Sequence, residues 1–314
     1  MRDLAIAYRI YPGVSKKPAF HDQSKFHLAR LCLSSFRQAL GGLRFKVWAI
    51  LDGCPRQYID LFRSIFTEDQ LEIVETDGIG NLKTFSMQID LLTQQMEADL
   101  VYFAEDDYFY RPDALVEMVE FARENAAAAF VTPYDHPDSY FTSSRYERHR
   151  VMASGKRHWR EASSTCLTFL TRRTTLLATE RIMRSYCKGN MDCSLWLALT
   201  QKAALVDPRV HAADEVRLKI WVKTFLWGWR EIFFSRTQSL WSPMPTLATH
   251  METPGLSPLV PWMDEFTCAE KKLLCQETMP SSGLLEEEDS SSLHPSLQTA
   301  IRGSGPLLRK PASQ

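Results

Sequence analysis

Over the first 135 residues, short apolar runs rich in β-branched side chains alternate with segments whose apolar positions recur every three or four residues. That switching of period is the signature of βαβ units, and it predicts an α/β, Rossmann-like fold with a mostly parallel central sheet flanked by helices. The runs LAIAYRI (4–10), KVWAIL (46–51), LEIVET (71–76), DLVYFA (99–104) and AAFVTPY (128–134) read as strands. Between them, Leu28, Leu31, Cys32, Phe36 and Ala39 share one helical face, and Ile59, Phe62 and Phe66 share a second. Phe85, Ile89, Leu92 and Met96 make a third, and Leu115, Met118, Val119 and Ala122 a fourth, on a helix opening near Pro112 and Asp113. Right-handed crossovers leave the strand C-termini along one edge, where open α/β sheets bind ligands.

After residue 135 the alternation weakens. The polar, basic stretch 143–161, with Arg145, Arg148, Arg150, Lys156, Arg157 and Arg160, reads as a long surface excursion. Its interleaved Tyr146 and Trp159 would offer apolar ring faces to a bound ligand. A strand over 163–170, a helix over 174–185, a short helix after Asp192 and a long aromatic helical segment over 215–241 follow. The last of these mixes cations with aromatic residues, which suits packing over the domain or peripheral contact with a membrane. From about 280 onward Ser, Pro and Gly dominate, a composition that cannot offset its ordering entropy, so the end of the chain is expected to be disordered. The expected division is a domain over 1–265, with halves 1–135 and 136–265, and a helical C-terminal extension over 266–314.

Composition narrows the class. The chain has 314 residues, 45% of them hydrophobic, enough for a sizeable core without disulfide staples. With 37 Lys plus Arg against 38 Asp plus Glu, the global charge gives no case for a nucleic-acid partner. Seven cysteines, an odd number without a CxxC pair, fit reduced thiols in a cytosolic chain. No export signal or apolar run of membrane-spanning length is legible, so the expected location is cytoplasmic, with the membrane periphery as the other reading.

The most informative stretch is LVYFAEDDYFYRPDAL, in which an apolar strand ends on Glu105, Asp106 and Asp107. Three adjacent carboxylates repel one another, so a cationic complement is expected there. On an extended backbone Glu105 and Asp107 would face one site and Asp106 another. Mg²⁺ or Mn²⁺, which take few protein carboxylates and complete their shell with water and phosphate oxygens, suit such a pair. A solvated acidic turn before a helix is the plainer alternative. In GIGNLK the third glycine of a dinucleotide loop is replaced by Lys83, which argues against a nicotinamide dehydrogenase.

Taken together, RIYP at the end of the first strand, LDGCP after the second, DGIGNLKTF, AEDDYFYRPDAL, NMDCSLW and THMETPGLSPLVPW resemble the GT-A glycosyltransferases of the family 2-like branch. The resemblance spans about residues 4–262 and is strongest through residue 135. It implies a metal-dependent, inverting hexosyltransferase that moves a sugar from a nucleoside diphosphate donor, UDP-linked, to a hydroxyl of a glycan, lipid-linked or small-molecule acceptor. It implies Asp107 as metal ligand, Glu105 or Asp106 near the ribose or sugar, and a late histidine, His250, completing the metal shell. Tyr11 and Pro12 would flank the base, Asp52 would accept from its imide, and Asn81 and Lys83 would sit close by. Asp192 would be the catalytic base, with Asp135 in reserve; an Asp just before a helix is equally a favoured N-cap. The acidic motif here begins with Glu where the DxD pattern often has Asp. Two rivals are a noncatalytic nucleotide-sugar or glycan binder of the same fold and a sugar-phosphate nucleotidyltransferase, whose Gly-rich basic N-terminal loop is missing.

Overall fold

The computed structural model describes residues 1–13, 17–20, 24–141, 149–202 and 215–278. Arg145, Tyr146 and Arg148 and the tail from about 280 lie outside the described residues. Met1–Leu274 form one compact unit; of the second unit, Cys275–Gln314, only the end of a helix is described.

The first half follows the periodicity. Strands β1 (Leu4–Ile10), β2 (Phe45–Asp52), β3 (Leu71–Thr76) and β4 (Leu100–Glu105) alternate with helices α1 (Lys25–Ala39), α2 (Arg56–Ile65) and α3 (Asn81–Gln94). They pair in parallel in the order β3-β2-β1-β4. Strand β5 (Tyr108–Tyr110) precedes α4 (Ala114–Glu124), and β6 (Phe130–Val131) and the short α5 (Asp138–Phe141) follow. Next come β7 (Val151–Ser154), β8 (Arg157–Ala162), β9 (Phe169–Arg172), α6 (Arg173–Met183) and α7 (Asp192–Thr200). The long α8 (Glu215–Phe234), β10 (Leu240–Met244), β11 (Ala248–His250) and α9 (Trp262–Thr278) complete the described chain.

The sheet continues β4-β9-β6-β10-β8-β7. Its pairings make β9 and β8 antiparallel to their neighbours, while the other strands run one way. Side-chain alternation along β1 splits the core between the two faces. Leu4, Ile6 and Tyr8 pack with Phe36 of α1, Phe62 of α2 and Leu115 and Met118 of α4. Ala5 and Ala7 pack with Phe85, Ile89 and Leu92 of α3, Leu176 of α6 and Trp196 of α7.

Several expectations are corrected. The helix after β3 stops at Gln94, so Met96 leaves the apolar face and is 79% exposed. The run 128–134 keeps only Phe130–Val131 as strand, because Pro133 cannot donate to a ladder. The strand placed at 163–170 is Phe169–Arg172. Part of the supposed excursion is the β7–β8 hairpin, which joins the sheet through β10. Its arginines are matched: Arg150 pairs with Glu161, Arg157 with Glu117 and Arg160 with Asp135. Trp159 is buried and stacks on Phe121 with centroids 4.1 Å apart, so its ring is core and not a platform for a ligand. The helix over 215–241 ends at Phe234, and Leu240 already belongs to β10. Among the described residues, no helix is long and apolar enough to cross a membrane.

Candidate active site

The site lies where β1, β2 and β4 end. Strand β4 closes on Glu105, and Asp106 and Asp107 form a turn before β5 begins at Tyr108. Because the chain turns there, the extended alternation expected of Glu105 and Asp107 does not hold. Each of the three carboxylates goes to a different partner.

Glu105 meets Arg9, the one charged residue of the otherwise apolar β1, and accepts from the Thr168 hydroxyl at 2.9 Å. Arg9 is buried; its guanidinium also donates to the Asn81 carbonyl at 3.0 Å and to the Asn81 side chain, and it lies 5.6 Å above the Phe85 ring. Asp106 pairs with Lys25, the first residue of α1, at 2.7 Å and accepts from the Tyr11 N–H at 3.2 Å. Burial pushes the Asp106 carboxyl up, opposed by the Lys25 charge and reinforced by that of Asp107. Burial pulls the Lys25 ammonium down, and Asp106 more than reverses this.

Asp107 meets His250, with Nε2 3.1 Å from Oδ2. The contact is built by backbone pairing. Strand β11 runs antiparallel to β5 with His250 opposite Tyr108, and the Met251 N–H donates to the Asp107 carbonyl at 2.8 Å. The Tyr108 and His250 rings pack edge to face at 5.2 Å. Burial would raise the Asp107 carboxyl, but the charge and hydrogen bond of His250, helped by Lys25 and Arg9, hold it at about 2. Its Oδ1 is buried and has no hydrogen-bond partner among the described residues. Glu252 stands 3.8 Å from the other side of the imidazole.

An unmatched carboxylate oxygen beside an imidazole nitrogen is a hard-to-borderline donor set that fits Mn²⁺ or Mg²⁺. No group of three or more His, Cys, Asp or Glu side chains among the described residues is placed to hold a metal by itself. A cation here would therefore need oxygens from water or from a phosphate.

Asp52 is buried and already engaged. Its Oδ1 accepts from the Thr76 hydroxyl at 2.8 Å and the Ile79 N–H at 2.6 Å, and its Oδ2 from the Gly80 N–H at 2.8 Å. Asp52 thus shapes the loop that leads into α3, in which Gly80 adopts φ 87°, a conformation that glycine reaches without strain. Asn81 bridges Arg9 and the Tyr186 hydroxyl, the latter at 3.0 Å. Lys83 is exposed on the first turn of α3. Tyr11 is exposed beyond the end of β1, and Pro12 beside it is half-buried.

The two candidate bases differ. Asp135 is buried, paired with Arg160 at 2.7 Å and accepting from the Tyr140 hydroxyl, so both its oxygens are taken. Asp192 is half-buried and has no cationic partner among the described residues. Met191, not Asp192, is the N-cap of α7; the Asp192 Oδ1 accepts from the next residue's N–H at 2.7 Å. Burial pushes the Cys166 thiol up, and the charges of Glu105, Asp192 and Asp107 add to it. His136 is held below its usual range, first by burial and then by His250, against the pull of Asp138, Asp192 and Asp135.

Sequence reasoning missed Arg9, Lys25, Thr168 and His136. Only Arg9 left a signal, as a lone charge inside an apolar strand that must find a partner.

No family model matches the chain, and no curated protein matches it. Among solved structures, it is similar to the galactosyltransferase LgtC in complex with donor and acceptor sugar analogs, over 89% of this chain and 98% of that one, at 12% identity and TM-score 0.43. It is also similar to S. aureus TarS 1–349 in complex with UDP-GlcNAc, at 13% identity and TM-score 0.39, over 58% of this chain and 48% of that one. A third is the CMP:2-keto-3-deoxy-manno-octonic acid synthetase complexed with CTP, at 13% identity and TM-score 0.37, over 63% and 86%. The chain spans about half the length of the TarS structure it matches.

Proposed function

We propose that this protein is a metal-dependent glycosyltransferase, moving a sugar from a nucleoside diphosphate donor of the UDP class to an acceptor hydroxyl with inversion. The observation that supports this best is the return of β11 to β5, which sets His250 3.1 Å from Asp107 while the second Asp107 oxygen stays unmatched. Asp107 and His250 would hold the cation. When bound, Mn²⁺ or Mg²⁺ offsets the negative charge that builds on the diphosphate leaving group.

The chain's own residues do the rest. Tyr11 and Pro12, on the β1 edge, flank the base, and the loop fixed by Asp52 carries Asn81 and Lys83 toward the nucleotide. Glu105 and Asp106, each neutralised by a cation of the protein, shape the wall against the ribose and sugar. Asp192 takes the proton of the acceptor hydroxyl as its oxygen attacks the anomeric carbon. The bond to the diphosphate breaks and its electron pair leaves with that group. A base facing the acceptor on the side away from the leaving group gives inversion. Asp135, locked to Arg160, is better suited to positioning than to proton transfer.

The test combines binding with turnover. Calorimetry with Mn²⁺ and UDP should show the nucleotide binding more tightly with the metal, and Asp107→Ala and His250→Ala should each abolish that enhancement. Asp192→Asn should keep donor binding and melting temperature while losing transfer. Donor binding indifferent to Mn²⁺, or unchanged in Asp107→Ala, would overturn the reading. Binding with no turnover over a broad acceptor panel would favour the noncatalytic binder.

A further inference from the structure

Helix α8 is apolar around most of its circumference: Trp227 and Ile232 pack partly buried against the core, and a second apolar row is left outside. A helix on a globular domain normally buries its apolar stripe and exposes its polar side. Here the buried residues are Thr224, Gly228 and Glu231, spaced four and three apart on one face. Gly228 lies so close to Ala198 of α7 that a Cβ would collide with it, and Glu231 is consumed by an ion pair with Arg181. Leu218, Val222, Leu226, Trp229 and Phe233, spaced four, four, three and four apart, run along the opposite face, and all are exposed. Leu226 reaches 67% and Phe233 63%, and Phe234 at the end of the helix reaches 80%.

Cations accompany the stripe. Of the helix's charged residues, Lys219 and Arg230 are exposed, Lys223 donates to the Gly189 carbonyl and Glu231 is neutralised by Arg181. Lys219 and Arg230 flank the stripe on one side, and Arg236, also exposed, follows the helix end. The Arg230 guanidinium lies 5.2 Å above the Trp229 ring. At 20 residues the helix is about 30 Å long, yet it is too polar to span a bilayer.

We propose that α8 docks this protein on an anionic lipid surface, lying in the plane of the headgroups with the Leu218–Phe233 stripe immersed. A row of Leu, Val, Trp and Phe beside Lys and Arg matches the boundary between acyl chains and anionic headgroups, where apolar area and charge both contribute. The close-packed inner face, with Gly228 against Ala198, Glu231 paired with Arg181 and Trp227 and Ile232 on the core, fixes the helix to α6 and α7 and leaves the outer stripe to solvent. Docking also places the candidate site. The Ser194 hydroxyl donates to the Ile220 carbonyl at 3.0 Å and Lys223 donates to the Gly189 carbonyl, so the first half of α8 lies against the segment that carries Asp192. The docking surface shares no residue with the proposed metal and nucleotide site and does not depend on that assignment.

The experiment is co-sedimentation of the whole chain with vesicles of phosphatidylcholine alone and of phosphatidylcholine with an equal part of phosphatidylglycerol. Binding is expected to the anionic vesicles, weakened about tenfold without the anionic lipid. The double variant Leu226→Glu/Phe233→Glu should abolish it with an unchanged circular dichroism melt, because both residues are exposed. Lys219→Glu and Arg230→Glu should each weaken it about fivefold or more. Equal binding to both vesicle types would overturn the anionic assignment, and no binding would overturn docking altogether. Sedimentation equilibrium of the unlipidated protein provides the other outcome. A dimer that the Leu226→Glu/Phe233→Glu variant disperses, without vesicle binding by the parent, would assign the stripe to a second copy of this chain.

Discussion

The pairing of Lys25 with Asp106 can be tested quantitatively because both partners are known and both are mostly buried, with side chains 10% and 14% exposed. At 2.7 Å the attraction is about 6 kcal/mol for an effective dielectric constant of 20. Desolvation of the two ions takes back most of that, so the pair as a whole adds little. Removing only one partner is different, since it leaves a buried charge and costs about 3–5 kcal/mol. Lys25→Met should show that cost, bounded by the alternative open to Asp106. Protonating a carboxyl of ordinary pKa 3.8 at pH 7 costs about 4.4 kcal/mol, and burial, which already pushes Asp106 up, lowers that bound. The expected loss is therefore about 3 kcal/mol at pH 7. Losing Lys25 raises the Asp106 pKa further. Protonation then favours the folded state at low pH, and the deficit opens as pH climbs above 3.8 and is complete once the raised pKa is passed. Lys25→Met/Asp106→Asn removes the stranded charge, while the Asn oxygen still accepts from the Tyr11 N–H, and it should recover to within about 1.5 kcal/mol of the parent. Urea unfolding followed by fluorescence and circular dichroism measures all three proteins. A single variant within about 1 kcal/mol of the parent at pH 7, or a double variant no better than the single, would refute the reasoning.

Three further expectations follow from individual contacts. Gly228→Ala should lower stability by about 1–2 kcal/mol despite a helix-propensity gain of about 1 kcal/mol, because its methyl meets Ala198, and Ala198→Gly in the same chain should restore the melting temperature. Asp52→Ala leaves the Ile79 and Gly80 N–H groups without their acceptor, so hydrogen exchange at both should accelerate and stability should fall by about 2 kcal/mol. Asp3 is held at about 2, chiefly by Arg123 and then by the Arg44 N–H, and contributes stability above pH 3.8 that disappears as pH falls toward 2. Full conversion of that shift would give about 2.4 kcal/mol, but Arg44 and Arg123 are largely exposed and screening leaves about 1 kcal/mol; Asp3→Asn should show it at neutral pH and merge with the parent near pH 2 in acid unfolding curves.

The half of the fold that was legible is the half governed by period. β1 to β4 and α1 to α4 form where their spacing places them and, apart from Met96 beyond the end of α3, bury or half-bury the faces it marks, because each strand or helix has enough residues for its pattern to exceed chance. The rest is carried by short pieces. β5, β6 and β11 have three, two and three residues, too few for a period, and β10 contains Pro243 yet joins the sheet. The β7–β8 hairpin reads as polar because its arginines are visible in the sequence while their carboxylate partners, Glu161, Glu117 and Asp135, are not adjacent to them. In α8 apolar residues wrap most of the circumference, Trp227 and Ile232 packing inward and the Leu218–Phe233 row outward, and sequence alone does not say which side of such a helix the domain takes. For the site, the meeting of Asp107 and His250 followed from the family resemblance, since nothing local ties residues separated by 143 positions.

Mutual repulsion among Glu105, Asp106 and Asp107 was the reason to expect a cation beside them. The protein supplies two of the charges itself. Arg9 answers Glu105 from within β1, and Lys25 answers Asp106 from the first turn of α1. These two acids are therefore stable in place without an ion, and the acidic run alone does not argue for a metal. What does is the remainder. Asp107 faces a histidine, whose charge depends on pH, and keeps one buried oxygen with no protein partner among the described residues. Leaving a buried carboxylate oxygen unmatched costs stability, so such an atom persists where something else is to meet it. The corner is thus folded without an ion, and only the Asp107 oxygen is left to meet one. The part of the affinity that depends on a dication should reside in Asp107 and His250, while Glu105 and Asp106 set the shape and charge balance around them.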